Sequence, residues 1–469
     1  MVFPIAGGTQ DTGYEISNSL RFNDGDSANL SRSISSSGSN TNASISFWLK
    51  RGTAFGSQQI LFTNVKTDYY FRVALDSSAR LEIIDVTNGS VSGKRVTNRL
   101  FRDPSAFYHI FIGVDGGQGT EENRVKVYIN GVAETSWSSE TAWQSTFQMN
   151  ADDLTHYVGQ RGDSNQYFDG YMSEFNYVDG TTKAYTDFGE FNDNGVWIPK
   201  KYTGSYGTNG FFLEFQQTGT SQNSSGIGAD TSGQDNHFAV SNLAATDVTV
   251  DTPTNTFAVI NSVWAGLSAR VAPTLSEGNT QVDHGSTDSG AWSTIIPANG
   301  KWYAEFKITN TSSNTSGISV QNLTDGEANW RADTYQNAKG YQFFMNGNKG
   351  NNGTATTSYG SAWSDNDIIG TAMDLDNGKL YFSVNGTYVD SGDPTSGSSG
   401  TGAAFSIDAG DLHCIGSGYK HSMQGQWNFG NAPFSISSGN SDANGYGNFE
   451  YAVPSGYYSL NTKNLAEFG

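Results

Sequence analysis

YHIFIGVDGGQGTEENRVKVYINGV, residues 108–132, reads as two strands and the turns that end them. Tyr108, Ile110, Ile112 and Val114 recur at every second position, the period of a pleated strand with one apolar face, and Gly116-Gly117 closes the run. Val125, Val127 and Ile129 repeat the pattern, and Asn130-Gly131 supplies the positive-φ dipeptide of a tight hairpin. Working outward, SISFWLKRG (44–52) sets Ile45, Phe47 and Leu49 on one face against Ser46, Trp48 and Lys50, and Phe211, Leu213 and Phe215 alternate in FFLEFQQ (211–217). In the second half, KWYAEFKITN (301–310) aligns Trp302, Ala304, Phe306 and Ile308. DIIGTAMDLDNGKLYFSVNG (367–386) alternates Leu380, Phe382 and Val384 between Asn377-Gly378 and Asn385-Gly386. These are the signatures of half-buried antiparallel strands, and long helical periodicity is missing. Both halves share a plan without a strict short repeat, which points to two related sandwiches rather than a solenoid.

Composition agrees. A chain of 469 residues is expected to hold two or three domains, and 56 Gly, 9 Pro and 13% aromatics make an all-β chain. The expected fold class is therefore two tandem antiparallel β-sandwiches of jelly-roll type. Polar, Gly/Ser/Asn/Thr-rich sequence marks a connector at 219–258, between a sandwich at 19–218 and another at 259–469, with an N-terminal arm at 1–18. Residues 1–13, apolar and then Gly-rich, are a candidate docking arm.

Lys+Arg 26 against Asp+Glu 46 gives a net charge of −20, which repels phosphate backbones and anionic membranes and excludes nucleic acid as an expected partner. The same charge keeps a densely displayed protein soluble. Cys414 is the single cysteine, so one chain builds neither a disulfide nor a thiolate cluster; it reads as a small buried apolar residue. With neither a signal-peptide pattern nor an apolar run of about 18 residues, the chain is expected to be soluble, without membrane insertion, and released by a route other than standard export.

Larger stretches resemble known modules. SLRFNDGDSANLSRSISSSGSNTNASISFWLKRG (19–52), YHIFIGVDGG, VKVYINGV and YFDGYMSEFNYVDGT (167–181) resemble the concanavalin A-like/laminin G-like module of marine tailed-phage virion proteins. Phe168, Asp169 and Gly170 stand at the head of its closing strand. VWIPKKYTGSYGTNGFFLEF (196–215), DTSGQDNHFAV (230–240) and DTPTNTF (251–257) are similar to the connector of such proteins. GKWYAEFKI (300–308), KGYQFF (339–344), residues 367–386 and QWNFGNAPF (426–434) resemble the SPRY module, also a two-sheet sandwich. The resemblance implies a virion surface protein, such as a tail fibre or appendage, with other virion proteins as partners and a homo-oligomer, a trimer, as its state. Host attachment through a surface glycan or protein is the implied role. A capsid or tail decoration protein is the alternative.

An enzyme is not expected. Glycoside hydrolysis takes two facing carboxylates, and the Glu-x-Asp-x-Glu string of lectin-fold glycosidases does not occur; Glu174 and Glu305 stand singly and read as solvated surface. His109, His156, His237, His284, His413 and His421 show no paired-ligand spacing. No cofactor is expected: Asp24, Asp26 and Asp179 offer oxygens of the kind Ca²⁺ takes, but Asp-Gly pairs are equally what turns require. Arg161-Gly162-Asp163 is a chance-level tripeptide. The candidate ligand-binding residues are Trp330, Tyr335, Tyr341 and Trp363, aromatics in loop-like polar sequence that either stack on a sugar or protein partner or cap the ends of the sandwich core.

Overall fold

The computed structural model describes residues 13–53, 56–151, 153–162, 165–263, 272–285, 289–311, 316–323, 334–419 and 423–469. The arm residues 1–12, Asp163, Trp330 and His421 lie outside them. The chain divides into two compact units, Asp11–Thr254 and one covering Asn255–Gly469.

In the first unit the inward rows become the core. Ile45, Phe47 and Leu49 are fully buried and lie opposite Ile112, Ile110 and Tyr108; Ile112 and Ile110 in turn face Val127 and Ile129 across the next strand. Asn130 and Gly131 take φ of 49° and 75°, the left-handed pair that a two-residue hairpin matching strand twist requires. One sheet runs Val132–Ala133, Val125–Ile129, Tyr108–Asp115, Asn42–Arg51, Gly170–Asp179, Ser19–Phe22 and Val248–Thr249, with Phe211–Leu213 also on Gly170–Asp179. The other runs Trp137–Thr141, Ser90–Leu100, Arg80–Thr87, Tyr69–Leu75, Gln59–Lys66, Thr155–Val158, Asn29–Ser33 and Ala239–Ser241. Their facing sides enclose one apolar core that includes Leu20, Phe47, Phe62, Phe71, Ile83 and Phe175.

The central strands of the first sheet are not half-buried, as alternation implied, but buried on both faces. Residues 185–212 fold over its outer side, where Phe111, Val178, Phe188, Tyr202, Tyr206 and Phe212 form a second apolar cluster. Ile16, Trp48, Phe107, Tyr171 and Trp197 form a third. Residues 219–254, expected as connector, are part of the same unit. Ala239–Ser241 and Val248–Thr249 add an edge strand to each sheet, and Ile227, Phe238 and Leu243 enter the core. Widely spaced apolar anchors in polar loops suffice for this, and they leave no periodic trace.

The second unit is also an antiparallel sandwich. One sheet centres on Lys301–Thr311, flanked by Met423–Asn428 and Ile368–Asp374, and the other on Gly317–Asn322 between His413–Tyr419 and Gly340–Phe344. Trp302, Ala304, Phe306 and Ile308 are fully buried, as are Leu380 and Phe382. The single α-helix among the described residues is the short Thr462–Phe468. All-β architecture built from antiparallel sandwiches is thus the fold.

Candidate functional site

Gln59–Lys66 pairs on one side with Tyr69–Leu75 and on the other with Thr155–Val158. Phe62, Phe71, Val73, His156 and Val158 point into the core, so alternation turns their neighbours outward. Register then assembles two transverse rows: Thr155, Val65 and Tyr70 in one, Tyr157, Thr63 and Arg72 in the other. Together with Lys66, Arg161 and Gly162 they line a groove of about 250 Å³. Gly162 has φ of 100°, and a Cβ there would lie 2.5 Å from Val65 Cγ1 and 3.0 Å from the Tyr157 ring, so glycine lets this rim loop approach the floor.

Arg72 is the most constrained group of the groove. Its side chain is 9% exposed, its Nη2 lies 2.6 Å from Glu82 Oε1, and its guanidinium stands 5.3 Å from the Tyr70 ring centroid. Glu82 is held in turn by Gln58 Nε2 at 2.8 Å and Lys94 Nζ at 3.7 Å. Arg72 Nε is buried without a hydrogen-bond partner. Lys66 pairs with Asp153 at the rim. Half-exposed tyrosines beside hydroxyls and cations can stack on and hydrogen-bond to a polar ring such as a sugar. The volume is below the ~300–1,000 Å³ of enclosed small-molecule pockets, so this is a shallow surface groove.

The aromatic residues singled out from sequence lie elsewhere. Tyr341 and Trp363 are buried in the second unit's core, Trp363 with its ring 5.7 Å from Phe343 and Tyr341 with its ring 5.3 Å from Phe405. Tyr335 packs edge-on against Phe344 at 5.4 Å. They fill the sandwich instead of presenting faces to a ligand, because a large apolar ring in a polar loop gains most by turning inward. Trp330 lies outside the described residues.

The acidic candidates do not converge. Asp24 and Asp26 sit in a short 3₁₀ turn capped by Asn23, whose Oδ1 accepts from Gly25 N at 3.2 Å and whose Nδ2 donates to Asp26 at 3.0 Å. Phe22 faces Gly170, whereas Asp179 ends the same strand at its far side. There its Oδ1 accepts from Ser39 N and Asn150 Nδ2, each at 2.9 Å, and its Oδ2 from Asn209 N at 3.0 Å. Among the described residues no group of three or more His, Cys, Asp or Glu is placed to hold a metal.

Glu174 and Glu305, expected on the surface, are buried. Glu305 accepts from Tyr303 Oη, Asn428 Nδ2, Glu450 N and Tyr451 N at 2.8–3.2 Å, so it fastens a returning loop; burial raises its pKa. Glu174 interrupts the register of its strand, adopts φ of 50° and accepts from Tyr14 Oη at 3.1 Å. Burial, aided by the charge of Glu214 and opposed by Lys201, pushes its carboxyl up to about 8. Among the buried histidines, His109 accepts from Trp197 Nε1 at 3.0 Å and its Nε2 lies 2.9 Å from Ser46 Oγ. Burial pushes His109 and His156 down to about 3, and His284 to about 4. Cys414, a small apolar residue of the core, is fully buried beside Trp292.

A laminin G-type family profile, described as the concanavalin A-like lectin/glucanases superfamily, matches residues 22–186, which lie within the first unit. Among solved structures, the SPRY domain of human HERC1 is similar at 16% identity and a TM-score of 0.27, over 34% of this chain and 92% of that domain. The native heptameric SAP-like pentraxin from Limulus polyphemus is similar at 13% identity and a TM-score of 0.28, over 36% of this chain and 80% of its own. No curated protein matches.

Proposed function

We propose that this chain is a non-catalytic carbohydrate-binding protein whose recognition surface is the Tyr70–Tyr157 groove of the first unit. The observation that carries this reading is the convergence of two half-exposed tyrosines, Thr155 and three cations on one strand face of a lectin-type module. Its lining is the chemistry of stacking and hydrogen bonding rather than the facing carboxylates of glycoside hydrolysis. The groove is shallow, so useful affinity comes from many copies acting at once. The finer reading is display as an oligomer on a tailed-phage particle, with attachment to a host surface glycan as its task; it draws on the sequence resemblance. An array of oligosaccharides probed with the full chain, wild type against Tyr70→Ala and Tyr157→Ala, tests it. Glycan binding lost in both variants supports the reading, and the absence of any glycan ligand overturns it.

A structural decoration protein is the second reading. It is favoured by Val132, Phe191 and Val196, which are 54%, 50% and 44% exposed and surround Trp197 at one edge of the first sheet. Such a patch suits packing against another subunit.

A further inference from the structure

We propose that Tyr14 and Glu174 form a pH-sensitive latch, which straps the segment leading into Ser19–Phe22 against the outer side of the first sheet and lets it go as pH rises. Glu174 stands at a break in register: Ser173 pairs with Trp48 and Asn176 with Ser46, and Glu174, in the extra length between them, takes φ of 50°. A bulge of this kind re-aims a side chain away from the ladder. Here it brings the carboxyl to Tyr14, whose Oη lies 3.1 Å from both Oε1 and Oε2. Asn176 secures the bulge, donating from Nδ2 to the Glu174 carbonyl at 2.8 Å and accepting from Tyr206 Oη at 2.6 Å. Two residues beyond Tyr14 the segment is pinned: Ile16 N donates to Thr254 Oγ1 at 3.2 Å, and that hydroxyl donates to the Ile16 carbonyl at 3.1 Å. Ile16 is buried with Trp48, Tyr171 and Trp197, so the chain ahead of it swings from a fixed point with Tyr14 as its fastening.

Charge decides whether that fastening holds. Glu174 is 8% exposed, and the cation facing it, Lys201, is engaged by Glu214 at 3.4 Å and lies 5.8 Å from the Tyr14 ring. Glu214 adds a like charge, Tyr206 faces the carboxyl as a phenol, and the strand opposite presents Ser46 and Trp48, which do not titrate. Glu15, exposed, is the other acid on the strap. Burial first, then the charge of Glu214, push the Glu174 carboxyl up to about 8 against the Tyr14 hydrogen bond and Lys201. The Tyr14 phenol is pushed up as well, by burial and by Glu174, and keeps its proton throughout. A neutral Glu174 rests under the strap at little cost, whereas an ionised one regains its hydration only by shedding Tyr14. Once uncovered, the carboxyl titrates near its ordinary 4.5, so the open form gains on the closed form from there upward and levels off above about 8.

The experiment places a nitroxide on Gly13→Cys in the full chain, a position where an added Cβ meets nothing within 4 Å, and reads its mobility by electron paramagnetic resonance. Cys414 is fully buried and stays unlabelled. The ratio of mobile to immobile label should rise at least about tenfold between about pH 5 and about pH 9, the response of one titrating group, with near-ultraviolet circular dichroism unchanged. Glu174→Gln, which cannot ionise, should hold the label immobile across the range, and Tyr14→Phe should free it in acid as well. A ratio that does not move with pH, or one that still moves in Glu174→Gln, overturns the latch. So does mobility that appears only as the near-ultraviolet signal collapses, because that is unfolding of the sandwich and not release of the strap.

Discussion

Lys50 and Asp251 form an ion pair at 2.7 Å with neither side chain exposed to solvent. Lys50 lies on the outward side of Asn42–Arg51, and its ammonium stands 5.3 Å from the Tyr171 ring and 5.8 Å from that of Phe107. Asp251 comes from the polar stretch after residue 219, so the pair clamps late sequence onto the first sheet.

Removing one partner strands a charge in the apolar layer. Asp251→Ala should therefore destabilise the first unit by about 3–5 kcal/mol, while the paired replacement Lys50→Met with Asp251→Leu should come close to neutral. Urea unfolding of the full chain distinguishes the two; an Asp251→Ala midpoint equal to wild type would show that the pair contributes nothing.

Stability should bend in opposite senses with pH. His109 and His156 titrate near 3 folded and near 6.5 unfolded, so their contribution is complete above about 6.5 and is lost as pH falls toward 3. Glu174 titrates near 8 folded and near 4.5 unfolded, so its contribution is complete below about 4.5 and is lost as pH rises through 8. In Glu174→Gln, the drop in urea midpoint between pH 5 and 8 should shrink while the acid limb stays.

Gly131→Ala should lower stability by more than about 1 kcal/mol. The residue holds φ of 75°, and an added Cβ would lie 2.2 Å from the Trp197 ring. Differential scanning calorimetry reads the effect. Gly195→Ala, at φ of 73° but with open space around the new methyl, separates backbone strain from the clash.

Cys414 should resist iodoacetamide in the native protein and label fully in denaturant, because burial raises its thiol pKa and closes off access. Rapid native labelling would contradict the packing against Trp292.

What was legible in the sequence was whatever repeats. The inward rows at Ile45, Phe47 and Leu49 and at Trp302 to Ile308, and the hairpin at Asn130-Gly131, follow from a period of two and from turn chemistry. Burial by remote irregular chain was not legible. Nothing near Glu305 announces that Glu450 and Tyr451 amides return to it, and nothing near Glu174 announces Tyr14. The groove did leave a signal that a search of polar loops overlooks. In YYFRVAL (69–75) and THYV (155–158), Tyr70, Arg72 and Tyr157 occupy the outward positions of strands, where a solvated face ordinarily carries small or flexible polar groups.

Because those groups alternate with Phe62, Phe71, Val73 and Val158, the two jobs of each strand fall on separate sets of positions. Selection acting on what the molecule adheres to can rewrite residues 65, 70, 155 and 157 without disturbing the interior rows. A lineage facing a changing target could thus drift in preference while inheriting an unaltered scaffold.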